Sequence, residues 1–112
     1  MNFYNNVHEM VKKLKETEEY INYISMKEKV KSDENVYLKI KEFKEKQREQ
    51  QLRYIEGIKP TEEQQQYMQN LYSIIIQNSD GAKFFESEIR LNVLLADIQK
   101  ILTEGIKDVL EF

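Results

Sequence analysis

The last third of this chain carries an apolar stripe that a small protein cannot easily bury. Phe84, Leu91, Leu95, Ile98, Leu102 and Val109 recur at coiled-coil spacing, and Phe85, Leu94, Ile101 and Ile106 widen the stripe. Intervals of three and four place these residues on one side of an α-helix. Only Gly105 interrupts the run. A stripe this long and broad exceeds what one or two short helices bury, so it demands a bundle core or a seam between two copies. Left bare, it would form a patch well above the few hundred Å² usual on a monomer. Leu91, Leu95, Ile98 and Leu102 are the residues expected to build that core or dimer seam.

Capping signals divide the rest of the chain into further helices. Phe3, Val7, Met10, Val11 and Leu14 make one helical face that stops near Lys15. Thr17 followed by Glu18 and Glu19 reads as a fresh N-cap, with acid in the first turn where the helix dipole favours it. The helix that follows would carry Tyr20, Ile21, Ile24 and Val30, either separate from the first or joined to it by a bend. Ser32-Asp33-Glu34-Asn35 is the next cap, opening a helix from about Glu34 to Glu56 that would span roughly 34 Å. Its stripe starts as Val36, Ile40 and Phe43 and turns polar at Gln47 and Gln50 before Tyr54. Gly57 suits the position after a helix end, and Pro60 cannot continue one. Thr61-Glu62-Glu63-Gln64 matches a capping box. The next helix carries Met68, Leu71, Tyr72 and Ile75 on one face. Gln77-Asn78-Ser79-Asp80-Gly81 ends it and caps the last helix.

The expectation is therefore one all-α domain over residues 1–112: a bundle of about five helices, with long antiparallel central and C-terminal helices, in a dimer. Composition agrees, since three Gly and one Pro in 112 residues, with abundant Glu, Lys, Gln and Leu, suit helices. The absence of cysteine removes disulfides, thiolate zinc, iron–sulfur ligation and a Cys nucleophile. No apolar run approaches the roughly 18 residues of a membrane span. The N-terminus has neither the basic flank nor the apolar core of a secretory signal, so a cytoplasmic protein with no membrane partner is expected. A net charge of −3 speaks against a general duplex-DNA binder.

Little in the chain suggests chemistry. His8 is the sole histidine and has no Cys or second His with which to hold a metal. Gly57, Gly81 and Gly105 are isolated, so no phosphate-cradling loop exists. The serines lack a nucleophile elbow or a partner histidine. Glu88 is the most notable acid, because it falls within the apolar stripe three residues before Leu91. A carboxylate at a helix seam, hydrogen-bonded or paired with Arg90 or a lysine across an interface, explains it better than acid–base catalysis. No Glu-x-x-His pattern supports a di-metal bundle. No enzyme activity, metal or cofactor is expected.

Two binding readings remain. The stretch Lys41–Tyr54, through Lys44, Gln47, Arg48, Gln51 and Tyr54, would offer a polar, amide-rich surface to a protein partner. The rival is an RNA-binding strip between Lys27 and Arg48, where lysines interleave with Tyr37 and Phe43. Residues 1–56 hold 12 Lys+Arg against 11 Asp+Glu, and residues 57–112 hold 5 against 9. The first half is therefore +1, and Glu28, Asp33, Glu34, Glu42 and Glu45 dilute the strip. A solvated helix with i,i+4 ion pairs accounts for the same residues.

The order of these segments is similar to the YlbF/YmcA family of small helical bacterial regulators, and within it to the YheA-like branch. The resemblance rests on Thr17-Glu18-Glu19-Tyr20, Ser32-Asp33, the Gln-rich helix through Phe43, Gln47 and Gln51, and Gly57. It continues through Thr61-Glu62-Glu63 and Phe84-Phe85-Glu86-Ser87-Glu88-Ile89-Arg90-Leu91, covering essentially the whole chain. It implies an all-α fold, homodimeric or larger, in Gram-positive-type bacteria. It also implies a non-enzymatic adaptor linked to competence, sporulation and biofilm phenotypes, and to modulation of ribonuclease Y and RNA maturation. Some members of the family carry cysteines tied to an iron–sulfur cluster; this chain has none.

Overall fold

The capping residues set where each helix begins in the computed structural model, which describes residues 2–112. Among these residues there are six helices and no strand. They are α1 (Phe3–Leu14), α2 (Glu18–Lys31), α3 (Glu34–Ile55), α4 (Glu62–Gln77), α5 (Ser79–Gly105) and α6 (Lys107–Leu110). The first two are separate helices. The Thr17 hydroxyl donates to the Leu14 carbonyl at 2.6 Å, closing α1, and accepts from the Tyr20 amide at 3.3 Å, opening α2. Asp33 caps α3 by accepting from the Val36 amide. The capping box of α4 is formed on both sides: Thr61 Oγ1 accepts from the Gln64 amide at 3.1 Å, and Gln64 Oε1 accepts from the Thr61 amide at 3.0 Å. Gly57 follows α3 with φ +87°, a left-handed conformation that only glycine adopts without strain.

The one interruption expected in the stripe, at Gly105, is where the helix ends. Helix α5 stops at Gly105, and Val109 sits on the single turn of α6. Glycine gives up more backbone freedom in a helix than other residues, which explains a stop there.

The chain forms two units. Residues 26–85 make one, comprising the end of α2, all of α3 and α4, and the first residues of α5. Within it α3 and α4 form an antiparallel pair: Phe43 meets Tyr72, and later in α3 Lys46 lies over the ring of Tyr67, which comes earlier in α4 and whose hydroxyl donates to Glu42 Oε1 at 2.9 Å. Met26, Val30, Val36, Ile40, Leu71, Ile75, Phe84 and Phe85 are buried. Three rings lock together, with Phe85 stacked 5.1 Å from Tyr72 and edge-on at 5.5 Å to Phe43. Such aromatic pairs add about 0.5–1.5 kcal/mol each beyond the area they bury. The turn between α4 and α5 is tight. Asn78 Oδ1 accepts from the Gly81 amide at 3.0 Å, and Gly81 lies so near Ile75 that a Cβ there would collide with the Ile75 carbonyl oxygen.

The other unit holds the residues up to Ser25 together with Glu86–Phe112. It contains α1, the start of α2, the greater part of α5, and α6. Helix α1 buries no residue. Ser87 and Leu91 are buried on α5, and beyond Leu94 exposure dominates.

Candidate interaction surfaces

The expected seam on α5 has one buried member. Leu91 is 9% exposed, Ile98 is half-buried, Leu95 is 42% exposed and Leu102 is 50% exposed. On a helix of 3.6 residues per turn, these four fall within an arc of roughly 60°. Leu91 therefore ends a buried stripe that continues into the open along the same face. Ile101 and Ile106 beside it are also exposed. The part of α5 after Leu91 amounts to 14 residues, about 21 Å of helix.

The amide-rich surface sits on the C-terminal half of α3 and the loop that follows it. Gln47, Gln51 and Tyr54 join Gln50, Ile55 and Pro60 around a shallow depression. Gln47, Gln50, Gln51 and Tyr54 prolong the α3 face that buries Val36 and Ile40, because they fall on nearly the same side of the helix. The face changes from apolar to amide at Gln47, and burial stops with it. Gln47, Arg48, Gln51 and Tyr54 are exposed, whereas Lys44 is half-buried with its ammonium 6.0 Å from the centre of the Phe85 ring. Arg48 does not line the depression.

Half of the cations between Lys27 and Arg48 have a partner within the chain. Lys29 lies 3.8 Å from Asp80, Lys39 donates to Asn35 at 2.7 Å, and Lys46 sits 5.2 Å from the Tyr67 ring centre. Of the partners considered for Glu88, Arg90 pairs with Glu86 at 2.9 Å, one helical turn away. Glu88 is half-buried and lies near Tyr23, whose hydroxyl is pushed above its ordinary range by burial first and by the Glu88 charge second. Tyr67 is raised as well, chiefly because its hydroxyl donates to the Glu42 carboxylate.

One surface escaped the sequence reading. In the unit that holds α1, the start of α2 and the middle of α5 flank an open groove lined by Glu18, Glu19, Asn22, Ile89, Arg90, Val93, Leu94 and Asp97. The signal was present in the Ile89-x-x-x-Val93 spacing, which puts both side chains on a face distinct from the Leu91 stripe. Among the described residues no cluster of three or more His, Cys, Asp or Glu is placed to hold a metal ion, and no helix is long and apolar enough to cross a membrane.

Six helices whose caps and Leu91-led stripe follow this order also match a known pattern. A family described as control of competence regulator ComK, YlbF/YmcA, matches residues 3–107. The chain belongs to the YlbF/YmcA family. Among its relatives, a UPF0342 protein of Desulfitobacterium hafniense is 34% identical over 98% of this chain and 89% of its own length. Another, from Alkalihalophilus pseudofirmus, is 34% identical over 96% and 92%. A third, from Symbiobacterium thermophilum, is 32% identical over 92% of each chain. The YlbF/YmcA match spans all of α1 to α5, so both the amide-rich surface and the α5 stripe lie inside it.

Proposed function

We propose that this chain is a non-enzymatic regulatory adaptor of the cytoplasm that works by binding protein, and that its first partner is a second copy of itself. The observation that carries this reading is the open continuation of the Leu91 stripe through Leu95, Ile98 and Leu102. An apolar helix face of this kind is stabilised by removal from water at about 25 cal/mol per Å².

The name of the family supports a regulatory role, and the amide-rich surface supplies a place for a second protein. Gln47, Gln51 and Tyr54 offer hydrogen-bond donors and acceptors beside an exposed aromatic ring, a mixture that suits a reversible contact. Competence control is the setting that the family description favours.

The test compares the wild-type chain with a Gln47→Ala/Gln51→Ala/Tyr54→Ala variant, each immobilised in extract of the native host. The variant should keep its helicity and self-association while losing a protein that the wild type retains in fixed stoichiometry. Identical retained proteins, or retention of RNA in place of protein, would overturn the assignment.

A further inference from the structure

We propose that the groove between the start of α2 and the middle of α5 receives α1 of a second copy of this chain. The proposal rests on the reading that the chain self-associates, and it names a contact separate from the Leu91 stripe. Helix α1 is amphipathic and its apolar side is only partly covered within its own chain. Phe3, Val7, Met10, Val11 and Leu14 fall within an arc of roughly 100°. None of them is buried, and Leu14 alone is half-buried. Two cations flank this arc, Lys13 on one side and Lys15 on the other. The acid of the helix, Glu9, lies on the far side.

The groove is the complement of that face. Ile89 and Val93, 59% and 55% exposed, form an apolar floor with Leu94. Glu18, Glu19 and Asp97 stand around it as carboxylates. The cation of the groove, Arg90, is already held by Glu86 at 2.9 Å. A stripe of apolar side chains flanked by lysines thus meets an apolar floor rimmed by carboxylates. Opposite charges at such a rim select orientation and speed association more than they add affinity.

The occupant is a second copy because α1 contributes no described residue to the groove of its own chain, while the groove and the α1 face match in both polarity and charge. Two copies related by a two-fold axis can exchange α1 reciprocally, so each groove is filled by its partner and no open chain of contacts results.

The chain has no cysteine, so single cysteines report this contact without background. Met10→Cys and Val93→Cys proteins are purified separately, mixed at micromolar concentration and oxidised. A disulfide-linked species containing one of each should form, in excess of either self-linked pair. Lys13→Glu/Lys15→Glu in the Met10→Cys background should lower its yield several-fold at low salt. A Met10→Cys/Val93→Cys chain that closes its disulfide within one chain would overturn the proposal, because α1 would then fill its own groove. A dimer that persists in sedimentation with no Met10–Val93 link would overturn the α1 contact while leaving self-association intact. Sedimentation as a monomer would remove both. Flotation of the wild type with phosphatidylglycerol vesicles, lost in Val7→Asp and without any Met10–Val93 link, would assign α1 to a lipid surface and overturn the proposal.

Discussion

Single residues decide the geometry at the α4–α5 turn. Gly81 is buried against Ile75, and any side chain there must push the Ile75 carbonyl aside. Gly81→Ala should therefore destabilise by about 1–3 kcal/mol, the usual range for overpacking, read as a lower urea midpoint; an unchanged midpoint would contradict the packing. Tyr23 supplies a test by pH. Burial and the Glu88 charge raise its folded-state pKa above the ordinary 10.0. The folded state thus holds this proton more tightly than the unfolded state. The stability so gained is complete below the unfolded value and is lost as pH rises through the folded one. The wild-type melting temperature should fall more steeply above pH 10 than that of Tyr23→Phe, and parallel slopes would show that Tyr23 does not contribute. The sequence marked Gly81 as a turn residue but not as a point of close approach, since that depends on Ile75 arriving from α4. It marked Glu88 as unusual and left a hydrogen bond, Arg90 or a lysine open as its partner; the i,i+4 geometry gives Arg90 to Glu86.

At the scale of elements, local chemistry carried most of the information. Thr17, Asp33, Thr61 and Asn78 each accept the amide hydrogen bond their side chains suit, so helix starts were readable from a few neighbouring residues. Thr61→Ala should cost about 1 kcal/mol through loss of the capping box, with Thr61→Ser retaining most of it; chemical denaturation of the three proteins is the check. Pairing of helices was less legible. The α3–α4 contact depends on Phe43, Tyr72 and Phe85 converging from three helices, and periodicity alone ranks no such partners. The α2–α5 groove was missed for the same reason: Glu18 and Asp97 are far apart in sequence, and their proximity follows only from how the two helices lie.

For the whole molecule, the deciding feature is apolar surface on α5 left open to solvent. Periodicity identified the Leu91–Leu102 stripe, but it could not separate an internal core from a seam between copies. The structure divides the stripe at Leu91, which is buried, from Leu95 and Leu102, which are open. A charge at the open end should separate the copies without unfolding a subunit, because Leu95 and Leu102 contribute little to the interior of a single chain. Leu95→Asp/Leu102→Asp should thus keep its helical circular dichroism. The decisive measurement is sedimentation equilibrium of the wild-type chain and this variant at micromolar concentration. The wild type should sediment at twice 13.5 kDa or more and the variant at 13.5 kDa. A wild-type chain sedimenting as a stable 13.5 kDa monomer would contradict self-association.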